Sequence, residues 1–185
     1  DRLMSRGLGD VYKRQILLNA EYTPSYYYIA KCKYALENYA GAIDDLNSAI
    51  KLSDKHNRID ESFNRMNIFF HNSGDDLLYS LRGECKYEMD HYKNAIEDFN
   101  KAIEINSHPL DFFYRAECKY ELDDYEGALY DINKSLKLSP KKEYALDLRA
   151  YIKFEIEDNQ GAIEDLNELI ELTTDNDEYY AIRGE

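Results

Sequence analysis

Apolar residues recur at helical spacing along most of this chain, and the arrangement itself repeats. In Arg82–Ile105, RGECKYEMDHYKNAIEDFNKAIEI, the small Gly83 is followed four positions on by Tyr87 and then by a short polar break. A second apolar stripe, Ala95, Ile96, Phe99, Ala102 and Ile103, comes after the break. Ile29–Leu52, Arg115–Leu138 and Arg149–Leu172 repeat the design, with Ala30, Ala116 and Ala150 in the small slot and Tyr34, Tyr120 and Phe154 in the large one. Ala42, Ala95, Ala128 and Ala162 keep the register at separations of 53, 33 and 34 residues, a period near 34 with one interval lengthened by about 19. Asp90-His91, Asp123-Asp124 and Asp158-Asn159 supply turn-forming side chains between the stripes. The pattern predicts helix pairs near 24–37/40–53, 77–89/93–106, 110–122/126–138 and 143–156/160–172, crossing closely where the small residues face one another.

These residues, in phase four times, resemble the tetratricopeptide repeat family over almost all of 16–185. The resemblance implies an all-α fold, a right-handed α-solenoid of antiparallel helix pairs. Tyr26, Tyr79, Phe112 and Leu146 stand where the family often has tryptophan, and its late proline survives only as Pro140. The expected organisation is the end of a preceding repeat at 16–22, then an array over 23–185. Its repeats fall at about 23–56, 76–108, 109–142 and 143–176, with a partial one at 177–185 repeating the Tyr79, Arg82, Gly83 spacing as Tyr180, Arg183, Gly184. An insertion at about 54–75 carries Ile59, Phe63, Met66 and Phe70 at helical spacing. It reads either as an extended or extra helix covering apolar surface, or as an exposed ridge of Phe63, Phe69 and Phe70 that docks a partner. Residues 1–15 follow no apolar period, and their string DVYKRQ resembles the translation of a transposon adapter used in sequencing libraries. They are expected to be an artefactual segment that does not pack against the repeats.

Composition narrows the function. A net charge of −14 disfavours nucleic acid, whose phosphates require clustered Lys and Arg. No run of 18 or more apolar residues exists, so no membrane span is expected in this segment, and the expected location is cytoplasmic. Cys32, Cys85 and Cys118 share a slot with Ile152, which predicts reduced core thiols rather than disulfides or metal ligands. No nucleophile, phosphate-loop or metal-ligand motif occurs, and His56, His71, His91 and His108 share no ligand spacing. No enzyme activity, cofactor or metal is therefore expected. Arg82, Arg115, Arg149 and Arg183 recur in one slot and Asp45, Asp98, Asp131 and Asp165 in another. Each Asp is expected to face the Arg of the next repeat, Asp98 with Arg115, and to set repeat register more than it adds stability.

In the family, the first helices line a groove for extended peptides. Carried over by slot, that groove would contain Tyr27, Tyr28, Lys31 and Tyr34, then Ser80, Leu81, Glu84, Tyr87 and Glu88. It would continue with Phe113, Tyr114, Glu117, Tyr120 and Glu121, then Asp147, Leu148, Tyr151, Phe154 and Glu155. The Tyr34, Tyr87 and Tyr120 slot reads equally as core and as groove. Tyr27 and Tyr114 occupy slots where chaperone-tail binders place Lys and Arg, so a carboxylate clamp is disfavoured. The resemblance thus implies a non-catalytic scaffold or adaptor for a protein or peptide with basic and apolar residues. The alternatives are a docking arm of a larger enzyme, or self-association through open solenoid ends.

Overall fold

A computed structural model describes residues 23–59 and 74–174. Expectations for 1–15, 16–22, the stripe of the insertion and 177–185 fall outside the described residues. Eight α-helices and no strand occur among the described residues. They are α1 (Thr23–Tyr34), α2 (Tyr39–Ile59), α3 (Asp75–Tyr87), α4 (Tyr92–Ile105), α5 (Pro109–Tyr120), α6 (Tyr125–Leu138), α7 (Glu143–Glu155) and α8 (Asn159–Thr174). The chain divides into two compact units, Asp1–Asn106 and Ser107–Glu185. In each, two antiparallel helix pairs pack in succession: α1/α2 then α3/α4 in the first, α5/α6 then α7/α8 in the second.

The expected helix pairs are present, with two differences. Helix α2 runs on to Ile59, which favours the extended-helix reading of the insertion as far as that residue. The first helix of every pair ends one to three residues early, because the backbone closes in a left-handed turn. Glu37, Asp90, Asp123 and Glu157 have φ of 62°, 59°, 61° and 63°. The following amide then reaches back five residues, as His91 N–H does to the Lys86 carbonyl at 2.9 Å and Asp124 N–H to that of Lys119 at 2.9 Å. The second helices start at once: Asn38, Asp124 and Asp158 side chains accept from the N–H of Gly41, Gly127 and Gly161 at 3.0–3.1 Å, typical capping bonds.

Small residues make the close crossings expected of them. Ala30, Ala42, Ala95, Ala116 and Ala128 are fully buried. The second pair has glycine at the first-helix position because of its neighbour: a Cβ on Gly83 would press into the Phe99 ring. Elsewhere Ala30 faces a pair carrying Leu46 in the Phe99 slot, and Ala116 one carrying Ile132. Cys32, Cys85 and Cys118 are free and buried, and burial pushes the Cys85 and Cys118 thiols up to about 12. They are packing residues, protonated and unreactive.

The charged slots correct the cross-repeat expectation. Asp98 pairs with Arg82 of its own hairpin, Nε–Oδ2 2.8 Å and Nη2–Oδ1 2.6 Å, and not with Arg115. Arg115 holds Asp131 at 2.8 and 2.5 Å, and Arg149 holds Asp165 at 2.9 and 2.5 Å. The physical reason is the antiparallel turn, which brings a residue of the second helix opposite one of the first helix in the same pair. One helical turn after each Arg, Lys86, Lys119 and Lys153 put Nζ at 2.7, 2.7 and 2.8 Å from the same carboxylates. Register between pairs is carried by the arginine's remaining nitrogen and an asparagine of the preceding pair. Arg82 Nη1 donates to Asn47 at 2.7 Å and Arg149 Nη1 to Asn133 at 3.1 Å. Guanidinium faces lie over the Tyr79 and Phe112 rings, each 5.4 Å from the centroid.

Two expected outcomes follow from this packing. Gly83→Ala should lower stability by about 1–2 kcal/mol through overpacking, yet in a Phe99→Leu background it should raise stability by up to ~1 kcal/mol as helix propensity takes over. Urea melts of the four proteins measure that reversal of sign. For Asp165, burial pushes the carboxyl pKa up, but the hydrogen bonds and charges of Arg149 and Lys153 outweigh it and hold the group below 3.8. A folded-state value below the unfolded one means that the stabilisation is complete above about pH 4 and is lost as pH falls through the folded value. Thermal melts should therefore show an acid-side decline that is smaller in Asp165→Asn, a variant already destabilised at pH 7 by on the order of 3 kcal/mol.

Candidate functional site

The first helices present aromatic and acidic side chains because their other positions are taken by the core. In the first unit, Leu78, Leu81 and Cys85 pack inward with Ala42, Leu46 and Ala49. Leu81 is thus core and not groove. The other residues expected to face the groove here are Tyr27, Tyr28, Lys31, Tyr34, Ser80, Glu84, Tyr87 and Glu88. Tyr28, Lys31 and Glu88 are exposed, and the others are half-buried. Tyr27 and Tyr28 meet edge to face at 5.4 Å. Burial, then the charges of Glu84 and Asp76 with the neighbouring Tyr28, raise the Tyr27 pKa. Tyr34 packs on Tyr39 at 5.4 Å, and its hydroxyl donates to Glu88 at 3.4 Å.

In the second unit, Phe113 meets Tyr114 at 5.4 Å and Tyr144 at 4.7 Å, both edge to face, so Phe113 packs as well as lines the surface. Tyr114, Glu117, Asp147 and Leu148 are half-buried, while Glu121 and Glu155 are exposed. Tyr120 packs on Tyr125 at 5.6 Å. Its pKa is raised by burial first, then by the charges of Glu155 and Glu121 and the nearby Tyr151 and Asp123. Tyr151 and Phe154 stand 57% and 63% exposed, the most solvent-facing aromatic residues of this surface. Tyr34, Tyr87 and Tyr120 are half-buried and each lies against a turn tyrosine, so that slot is both core edge and surface. Phe154 lies open because Asn159 holds the place of the turn tyrosine in the last pair.

Three aromatic residues of the turns lie beside this surface without being among the residues expected to line it. Tyr39, Tyr92 and Tyr125 follow the large first-helix residue by five positions, a spacing that only a turn places side by side. Tyr92 and Tyr125 hydroxyls donate to Asp90 and Asp123 at 2.8 and 2.9 Å, tying each ring to the left-handed residue two positions earlier. Among the described residues no group of three or more His, Cys, Asp or Glu side chains could hold a metal ion, and no helix is long and apolar enough to cross a membrane. His91 and His108 sit at the starts of α4 and α5, exposed, and His108 Nδ1 accepts from Leu110 N–H at 3.3 Å. The surface offers aromatic contact and negative charge.

Two family models, each described as "Tetratricopeptide repeat", match residues 25–55 and 78–109. No curated protein sequence matches the chain. Among solved structures, MamA is 13% identical, covers 95% of this chain and 92% of its own, and superposes with a TM-score of 0.77. YrrB, described as a TPR protein with an unusual peptide-binding site, is 15% identical over 98% and 84% with a TM-score of 0.70. The second TPR of Spaghetti (RPAP3), bound to the HSP90 peptide SRMEEVD, is 20% identical over 52% and 91% with a TM-score of 0.51. At these identities the likeness establishes the fold.

A titration tests the local electrostatics. The hydrogen bond to Asp123, then burial and the charges of Asp123 and Glu155, push the Tyr125 hydroxyl up to about 12. Asp123→Asn should bring it back toward 10, read by ultraviolet or NMR titration of the ring. An unchanged midpoint would show that burial dominates.

Proposed function

We propose that this chain, which belongs to the tetratricopeptide-repeat family, is a non-catalytic protein-interaction scaffold whose first-helix faces hold an extended peptide. The preferred ligand carries Lys or Arg between apolar anchors. The observation that carries this reading is the neighbourhood of Tyr120, where aromatic rings and carboxylates alternate: Tyr125 against its ring, with Tyr151, Glu121 and Glu155 close by. A cation entering such a place gains from the carboxylates and from the ring faces together, and apolar side chains beside it gain contact area on Tyr151 and Phe154. In the first unit, Tyr34, Tyr39 and Glu88 repeat the combination. Support for a peptide ligand also comes from the similar solved folds, since YrrB is described by its peptide-binding site and the RPAP3 repeat is bound to a peptide. The acidic SRMEEVD sequence of the latter does not suit the carboxylate-rich faces found here.

Charge would steer the encounter and aromatic contact would retain the ligand, so affinity should weaken with salt without vanishing. A single face of this size is expected to bind at a Kd of about 1 μM or weaker, roughly −8 kcal/mol. Fluorescence anisotropy with paired peptides, one alternating Lys or Arg with Leu and Phe and one with Glu in place of the cations, measures the preference. The basic peptide should bind at least about tenfold more tightly at low salt, a difference of about 1.4 kcal/mol. Glu121→Lys with Glu155→Lys should abolish that preference while leaving the helices intact, because both positions lie at helix C-termini, where cations are favoured. Equal binding of both peptides, or a double variant that binds the basic one as before, rejects this reading.

A further inference from the structure

The two units differ at one slot of their first-helix faces, and the difference bears on which cation each would take. Phe113 of α5 meets Tyr144 of α7 at 4.7 Å. Both are first helices and run in the same direction, so two turns further on Tyr120 comes opposite Tyr151. Glu155 follows Tyr151 by four residues and lies one turn away on the same face of α7. The Tyr120 pKa, raised by burial and then by the charge of Glu155, agrees with that placement. Tyr151 is 57% exposed, and Glu155 is exposed with no hydrogen bond or ion pair among the described residues. A ring face and an uncommitted carboxylate therefore stand side by side, with Tyr120 behind them. In the first unit the Tyr151 slot holds Glu84, and the Glu155 slot holds Glu88, which Tyr34 already engages at 3.4 Å. That face has two carboxylates one turn apart where the second unit has a ring and a carboxylate.

We propose that the Tyr151 and Glu155 face of the second unit selects arginine over lysine in its ligand, an inference that rests on the cation-binding reading above and narrows it. The guanidinium lies flat on the Tyr151 ring, and its edge donates two N–H groups to the Glu155 carboxylate. A planar fork meets a carboxylate at two points and keeps a face for the ring, whereas an ammonium is a compact, strongly hydrated point charge. Guanidinium is the more weakly hydrated ion and gives up less on reaching an aromatic surface. The molecule uses the same arrangement within its own hairpins. Arg82 meets Asp98 edge-on at 2.8 and 2.6 Å with its face over Tyr79, and Arg115 meets Asp131 with its face over Phe112. Glu84 and Glu88 of the first unit attract either cation by charge alone.

Fluorescence anisotropy on the full chain tests the assignment with peptides of one sequence, Leu and Phe alternating with Arg, with Lys or with Glu. At low salt the Arg peptide should bind at least about threefold more tightly than the Lys peptide. Tyr151→Glu, which gives the second unit the residue of the first, should remove that difference. Tyr151→Phe should retain it, because the ring face remains. Equal binding of the Arg and Lys peptides, both tighter than the Glu peptide, overturns the arginine assignment and leaves the cation reading standing. If neither basic peptide binds better than the Glu peptide, both readings fall. A difference that survives Tyr151→Glu also overturns the assignment, because the selectivity would then reside elsewhere in the chain.

Discussion

A carboxylate with almost no contact with water lies at the centre of each of the last three helix pairs, and most of the local geometry follows from keeping it ionised there. Asp98, Asp131 and Asp165 side chains are no more than 3% exposed. A charge in that position is tolerated only with close cations and a full set of hydrogen bonds. The arginine meets it edge-on with two nitrogens, and in two pairs lays its face on an aromatic ring of the same helix. The lysine does two things at once. Its side chain joins the carboxylate and reaches the opening turn of the second helix, as Lys119 does to the Gly127 carbonyl at 3.4 Å and Lys153 to that of Gly161 at 3.1 Å. Its own backbone carbonyl accepts the bond that ends the first helix. Crossing, turn and helix start therefore meet at one residue.

The first pair shows what happens when one member is changed. Ile29 stands in the arginine slot, Lys33 pairs with Asp45 at 2.6 Å, and the carboxylate is 19% exposed. Without an arginine in that slot, the carboxylate lies nearer to water than its three counterparts. Buried ion pairs of this kind contribute more to choosing one arrangement than to net stability, because desolvation offsets most of the attraction. The apolar slots around them act in the opposite manner: they tolerate exchange provided that volume is conserved across the crossing, as Gly83 with Phe99 shows against Ala116 with Ile132.

Periodicity made the helices legible, since each stripe had to sit on one face and the small residues had to meet. The helix ends were less so, because Glu37 and Glu157 are helix formers by composition and only the left-handed backbone reveals that they terminate. The partner of Asp98 could not be read from spacing at all. It lies 16 residues after Arg82 and 17 before Arg115, and a repeating pattern is indifferent between the two. Direction of packing decides, and direction belongs to the fold. For the residues expected to face a groove, spacing could not tell lining from packing. Leu81 belongs to the core, Phe113 is engaged by Tyr144, and the ring beneath Tyr120 comes from Tyr125, a turn residue whose place beside it depends on the closure of the hairpin.

That each arginine–carboxylate–lysine set is closed within its own hairpin bears on how such a chain can change length. Copying or deleting a segment of one period moves both ends of every buried ion pair together, so no charge is left orphaned in the interior. The lysine-closed turn and the matched volumes of the crossing travel with it. The bonds that must be remade at the junction are those between a guanidinium and an exposed asparagine. Duplication by whole hairpins is thus energetically mild, whereas a breakpoint inside one would strand a carboxylate, and arrays of this type are expected to grow and shrink in units of a complete pair.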